Sequence, residues 1–380
     1  MTPEMKAVPR KLTPAEVLNG PSPCVLTAVL VPVAGWDRFQ PAGFPEVGHV
    51  IYKAPRGNGT TEHICIVDSA ASMANHLESV CIRGAHDYEL VGELDGMPYL
   101  RCVTDSEPTG GEAKEVVVTS LTEGHRLAST YFLGGQRLRN GVAAGEQFAD
   151  DLATEFGIVL RGEKNAHPPA EKWWQVFKTI FKYDPNTLVH GVLFPQWQIR
   201  ISRVLTAHLE AFGAARVDRS GVKFDRLGKT TSGQPIFAVD DATAREIRAT
   251  FVLDVALLKS FGRRDGQGTL GLSDTQKEFL AALALWKIRA LLSTPFRFRS
   301  GCHLQLDTLK QGDLDVEIEV CIQDAIRNAG FRNGESGDPV ITDVYWPRAE
   351  LYRKATERVV APNSGEDNDS DNDNDEDESE

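Results

Sequence analysis

The sequence predicts an α+β fold, and three observations carry that prediction. Short apolar or β-branched runs alternate with stretches of three- and four-residue helical spacing. Twice, around residues 64–83 and 116–127, a strand, a polar cap and a helical pattern follow one another. Long glycine- and proline-rich loops break the order, so no regular strand–helix beat supports a barrel or a doubly wound sheet. The 380 residues, 41% hydrophobic and 25% charged, are globular in composition and long enough for a sizeable core.

Residues 1–20 read as an N-terminal arm that ends in a short helix from Thr13, with Pro14 at its first position. Residues 21–362 form the body and 363–380 an acidic tail that composition makes disordered. The run CVLTAVLVPV at 24–33 is a strand. A loop over 35–62 surrounds a short strand at 50–53.

The organising stretch is EHICIVDSAASMANHLESVCIR at 62–83. Ile64 to Val67 make a buried strand, Asp68 or Ser69 caps a helix, and Ala71, Ala74, Leu77 and Val80 or Cys81 face the core. Ser72, Asn75, His76, Ser79 and Arg83 fall on the polar side, which suits a phosphate polymer, although this stretch taken alone favours an ordinary amphipathic helix on a sheet.

Further on, 89–103 reads as a hairpin around Gly96-Met97-Pro98. After a strand at 116–119, Ser120 and Glu123 have capping-box spacing and open a second helix. Residues 134–141 form a glycine-flanked basic loop, and 147–156 a helix. KWWQVFKTIF at 172–181 is an aromatic helix of the core. Residues 188–194 read as a strand, 195–203 as a basic segment leading into a helix at 204–212, and 213–233 as an exposed loop. Helices are expected at 241–260 and, capped by Ser273, at 274–292; strands at 302–306 and 340–352 return to the sheet, with 316–328 strand or helix.

The net charge of −13 hides a near-neutral body. Residues 366–380 hold ten acids and no base; without them 44 acids face 41 bases, or −3. A nucleic-acid partner therefore remains compatible with the charge. The six cysteines form no CxxC pair and several sit in apolar runs, so we expect reduced core thiols in a cytoplasmic protein, with no disulfide, zinc or other cofactor. No apolar run approaches the roughly 20 residues of a membrane span.

Catalytic signatures are missing. Gly228-Lys229-Thr230 ends like a phosphate-binding loop, but Lys223 stands where its first glycine belongs. GxGxxG, GxSxG and HExxH do not occur, and Asp369, Asp371 and Asp373 lack the glycine and closing glutamate of a calcium loop.

What remains is a set of cations and polar groups near strand ends and glycine loops. They are Ser69, Ser72, Asn75, His76, Arg83, His125, Arg126, Arg137, Arg139, Arg200, Ser202, Arg203, Arg297 and Arg299. Guanidinium groups bind phosphate bidentately and stack on bases, as single-stranded nucleic acid requires. His125 and His190 fit a satisfied core histidine as well, His190 more so because it lies beside Gly191 in an apolar run.

Three segments, VDSAASMANHLES, TSLTEGHRLAST and NTLVHGVLFPQWQIRISRVLTAHLEA, resemble in order and separation the backbone subunit of the type I-U (now I-G) CRISPR Cascade, a Cas-seven-like member of the RAMP superfamily. Asp68, Ser69, Ser72, Ala74, Asn75 and Glu78 match the first motif, with His76 in place of an arginine. His125-Arg126 matches the second; Arg200, Ser202 and Arg203 match the third, where PQWQ replaces a lysine- and glycine-rich turn.

The resemblance implies an RRM-like (ferredoxin-like) palm with large insertions. It further implies that copies of the chain line up on one guide RNA, hold its sugar-phosphate backbone and wedge a hairpin (213–233 or 35–62) between bases, without nuclease activity. Its partners would be guide RNA, target DNA, copies of itself, other Cascade subunits and a recruited helicase-nuclease, with no membrane. The alternatives are a metal-independent RAMP-type RNA endonuclease with His125 or His76 as general base, and a scaffold that binds no RNA.

Overall fold

The computed structural model describes residues 8–44, 48–107, 114–139, 141–158, 168, 170–217, 241–266, 268–331 and 340–353. The expected acidic tail and most of the 213–233 loop lie outside the described residues.

Among these residues the largest sheet has nine strands. Its path runs Arg10–Leu12, Leu314–Ile318, Cys302–Gln311, Cys24–Pro32, Glu246–Leu253, Leu205–Phe212, Thr61–Asp68 and Ile51–Pro55, with Phe296–Arg299 added beside Cys302–Gln311. Every neighbouring pair is antiparallel except the first, where Arg10 to Leu12 run parallel to Val316 to Ile318. A second sheet of five strands is built from Lys114–Thr119, Tyr99–Asp105, Ile341–Tyr345, Gln136–Arg139 and Val142–Gln147. The chain is thus α+β, as its pattern predicts.

Three helices cover one face of the nine-stranded sheet or pack on one another there: Ala70–Ser79, Pro185–His190 and Asp274–Leu292. The last is apolar nearly all round and buried over most of its length, the behaviour of a helix inside the core. Ser273 caps it through the predicted box with Gln276. The N-terminal helix, Pro14–Asn19, carries its own box from Thr13 and Glu16 and packs against the long helix. The aromatic helix Trp173–Tyr183 is core as expected, with Phe181 stacked on Phe331 at 4.8 Å.

Several elements differ from the sequence reading. LTAHLEAF at 205–212 is a strand, not a helix, and the helix expected over 241–260 is mostly the strand Glu246–Leu253. Leu205, Ala207, Leu209 and Ala211 are buried on one face, and Ile247, Ala249, Phe251 and Leu253 repeat the pattern. Leu, Ala and Glu are good helix formers, but pairing on both sides of each strand outweighs that weak preference.

The hairpin expected over 89–103 is absent. Asp87–Leu90 pairs back to Ile82–Gly84, while Tyr99–Asp105 joins the second sheet, with the 3-10 turn Gly92–Leu94 and the buried Met97 between them. The expected second helix at 120–127 is a turn followed by one 3-10 turn at Arg126–Ala128. Ser120 leaves its capping role because its hydroxyl accepts the Leu100 N–H at 3.2 Å. The 134–141 loop is a strand, Gln136–Arg139, in a hairpin with Val142–Gln147. A Cβ at Gly135 would lie 2.5 Å from Val344 and 2.7 Å from the Trp346 ring, so glycine permits that close packing. Residues 185–190 are helical, and only Val192–Phe194 is strand.

Candidate nucleic-acid interface

The strand Thr61–Asp68 leads directly into the helix Ala70–Ser79, whose first turn is capped by Ser69 accepting the Ser72 N–H at 3.2 Å. The helix turns Met73, Ala74, Leu77 and Glu78 inward and leaves Ala71 exposed. A glutamate in this core requires a partner, and Arg126 provides it. Arg126 Nε donates to Glu78 Oε1 at 2.6 Å and its Nη2 to Oε2 at 2.7 Å, both side chains being buried.

Arg126 has φ +52, a left-handed conformation uncommon for a side-chain-bearing residue. The bidentate pair holds it there. Asn186 Nδ2 donates to Glu78 Oε1 at 2.7 Å, Lys287 Nζ donates to Asn186 Oδ1, and Lys287 also meets His190 Nε2 at 3.0 Å. A polar chain therefore runs through the core from Glu78 to His190.

Above it lies an open cleft of about 510 Å3. Its walls carry His125 and Arg126 from the turn after the second-sheet strand, Arg200 from the short hairpin Val192–Phe194/Ile199–Ile201, and Ser202 and Arg203 from the segment just after it. His190 and Gly191 also line it. Gly191 has φ +79, and a Cβ there would come within 2.8 Å of the Ile201 carbonyl oxygen, so only glycine lets the two walls meet.

Two of the predicted segments, distant in sequence, thus converge on one concavity. Arg203 Nη1 donates to the Ala70 carbonyl at 3.2 Å, which joins the cleft to the hub helix. Burial, then the nearby Arg126 charge, lowers the Arg203 pKa, with Glu78 opposing.

A second cluster gathers at Asp68. Arg299 Nη2 donates to Asp68 Oδ1 at 2.7 Å and its Nη1 to the Val67 carbonyl at 2.6 Å. His76 Nε2 is 3.3 Å from Asp68 Oδ2, and its ring packs edge-on against Phe298 at 4.9 Å. Burial pushes the Asp68 pKa up, but the neighbouring His76 and Ser72 and the Arg299 charge outweigh it and hold the carboxyl below its usual value.

The other predicted residues are dispersed. Arg137 is buried and donates to the Tyr183 hydroxyl at 3.1 Å, inside the second sheet's packing. Arg139 pairs with Asp151 at 3.3 Å, and Arg83 Nε donates to the Leu90 carbonyl at 3.1 Å. Asn75 and Arg297 are exposed. His125 is 82% exposed, 3.3 Å from Glu123. Lys287 and Asn186 escaped the sequence reading; Lys287 in the middle of an apolar helix is the signal that marks it. Among the described residues no three His, Cys, Asp or Glu side chains form a metal-binding group, and no helix is long and apolar enough to cross a membrane.

The family model for CRISPR-associated protein GSU0053 matches residues 24–216, just over half of the sequence, and covers both walls of the cleft and the hub helix. The chain belongs to this CRISPR-associated family. The resemblance read from the three motifs, to a Cas-seven-like subunit of type I-U (I-G), is upheld. No curated protein matches the chain. Two solved structures are similar to it at low identity. A chain of a CRISPR RNA-guided surveillance complex before nicking shares 12% identity over 76% of this chain and 75% of its own, with a TM-score of 0.34. Csc2 of Thermofilum pendens shares 13% identity over 89% of this chain and 76% of its own, with a TM-score of 0.31.

Proposed function

We propose that this CRISPR-associated protein is a Cascade backbone subunit, several copies of which hold one guide RNA by its sugar-phosphate backbone. The observation that carries the proposal is the cleft, where His125, Arg126, Arg200, Ser202 and Arg203 converge within the region matched by the family model. Phosphate contacts of this type position a strand without reading it, and base pairing supplies the specificity. The family resemblance extends the proposal to target DNA, neighbouring copies, other Cascade subunits and a recruited helicase-nuclease as partners in the cytoplasm.

Strand order supports an RRM-like (ferredoxin-like) palm. With Thr61–Asp68 set aside as an insertion beyond Leu205–Phe212, the long strands number Cys24–Pro32 first, Leu205–Phe212 second, Glu246–Leu253 third and Cys302–Gln311 fourth. They lie in the order fourth, first, third, second, all antiparallel, with helices Ala70–Ser79 and Asp274–Leu292 in the two crossovers. The remaining strands and helices are insertions in that frame.

The subunit is read as a holder of RNA and not a nuclease. His76 is engaged by Asp68 and Phe298, which leaves the exposed His125 as the candidate base for cleavage. Expression with a CRISPR array and companion subunits, followed by extraction of nucleic acid, tests both parts. The expected result is RNA of uniform length with repeat and spacer sequence, unchanged when His76 and His125 are both replaced by alanine. Protein free of RNA contradicts the backbone role, and accumulation of uncut precursor in the double variant returns the endonuclease reading.

A further inference from the structure

His190 is 1% exposed, lines the cleft, and has one ring nitrogen, Nδ1, that meets no partner among the described residues. Which nitrogen carries its proton follows from the chain of bonds behind it. Glu78, a carboxylate, only accepts, so it fixes Asn186 with its NH2 toward Glu78 and its carbonyl oxygen toward Lys287. The Lys287 ammonium only donates, so His190 Nε2, 3.0 Å away, presents its lone pair. A neutral imidazole with a lone pair on Nε2 carries its hydrogen on Nδ1. Burial, reinforced by the positive charges of Lys287, Arg126 and Arg203, keeps the ring neutral. The result is a buried, oriented N–H donor without an acceptor, a costly group to leave unsatisfied.

The charge around it points to what satisfies it. Arg126, Arg203 and Lys287 all act on His190, and Glu78 is the acid hydrogen-bonded into this group. Burial and then the Arg126 charge lower the Arg203 pKa, with only Glu78 raising it. Such a site attracts an anion with oxygen acceptors.

We infer that His190 is an RNA-binding residue: when RNA enters the cleft beside Arg203, the wall over the buried Nδ1 shifts and its N–H donates to a phosphodiester oxygen. This rests on the RNA-holding reading above and adds to it a residue, an atom and a tautomer. Lys287, Asn186 and Glu78 then act as positioning residues that keep the hydrogen on Nδ1.

Two substitutions separate the two ring nitrogens. His190→Gln keeps an oxygen near the Nε2 position to accept from Lys287 but removes the cleft donor. His190→Asn keeps an N–H near the Nδ1 position. Fluorescence anisotropy of the full chain with a labelled single-stranded RNA of random sequence should show affinity about tenfold weaker for His190→Gln, as expected for a lost hydrogen bond to a charged group. It should stay within about threefold of the unsubstituted protein for His190→Asn, and Arg203→Glu should weaken binding strongly.

If His190→Gln binds as tightly as the unsubstituted protein while Arg203→Glu does not, the inference falls and the RNA-holding reading stands. If the unsubstituted protein binds no RNA, both fall. Should the variants fail to fold, nitrogen-15 histidine spectra of the unsubstituted protein decide. A ring whose signals hold constant between pH 7.5 and 5.5 should be present as the Nδ1–H tautomer and should shift its Nδ1 signal on adding RNA. An Nε2–H tautomer, or a signal indifferent to RNA, overturns the inference.

Discussion

Glu78 and Arg126 show how a motif residue acts when it lies inside the protein. The sequence presents Arg126 as a phosphate contact. In the fold one edge of its guanidinium, Nε and Nη2, engages Glu78 while Nη1 faces the Gly124 and Gly191 carbonyls, and it acts on the cleft through the backbone turn it holds and through its charge. Removing one member of a buried pair leaves the other charged and unpaired, so Glu78→Ala should cost about 3–5 kcal/mol. Urea unfolding measures this, and a loss under 1 kcal/mol would mean that Arg126 finds water or another acid. Backbone-type RNA binding is better tested at Arg200, exposed on the cleft wall. Arg200→Glu should weaken binding of several unrelated RNA sequences alike, with little change in stability. Loss confined to one sequence contradicts a backbone contact. His190 gives stability a sign with pH. The unfolded histidine takes up a proton near about pH 6.5, whereas burial and the Lys287 charge prevent this in the fold, so its contribution is full above that pH and falls below it. Asp184, fully buried and raised to about 6, acts oppositely, since the folded carboxyl gains its proton first as pH drops. Comparison with His190→Gln isolates the first effect. Between pH 7.5 and 5.5 the unsubstituted protein should lose about 1 kcal/mol more than the variant. Equal losses would show that His190 charges in the folded state.

At the scale of elements, the helix Asp274–Leu292 holds the architecture together, since the helices Pro14–Asn19, Ala70–Ser79, Pro185–His190 and Ile322–Ala329 all pack against it. Leu283, with no exposed surface on it, should cost about 2–5 kcal/mol when cut to alanine, by lost burial and the cavity left behind. Thermal unfolding checks this, and a change under 1 kcal/mol would place the helix outside the cooperative core. The sequence identifies this helix well because its capping box, length and apolar content agree. It identifies Leu205–Phe212 poorly because leucine, alanine and glutamate favour helix locally, although the alternation of buried Leu205, Ala207, Leu209 and Ala211 with less buried neighbours was there to be counted. Ser120–Glu123 is the converse case. The box spacing is present, but Leu100 claims the serine hydroxyl across the second sheet, a partner twenty positions away.

At the scale of the whole molecule, the acidic tail sets the net charge while the body stays near neutral. Truncation after Pro362 should leave the melting temperature unchanged and tighten binding of random single-stranded RNA at low salt, by removing repulsion of phosphate. Unchanged affinity at low salt would show that the tail does not act on RNA. The sequence alone determined the α+β class, the hub strand and helix, the long core helix and the family, because these rest on short-range periodicity, capping and residue order. Only the tertiary structure decided which cations share a cleft. Arg126 comes from one segment and Arg200 and Arg203 from another, and Arg137, Arg139 and Arg83 carry the same charge elsewhere. Charge is a property of a residue, but whether it meets a buried carboxylate or an open cleft depends on strand pairing and helix packing across the chain, and neither is encoded within any one segment.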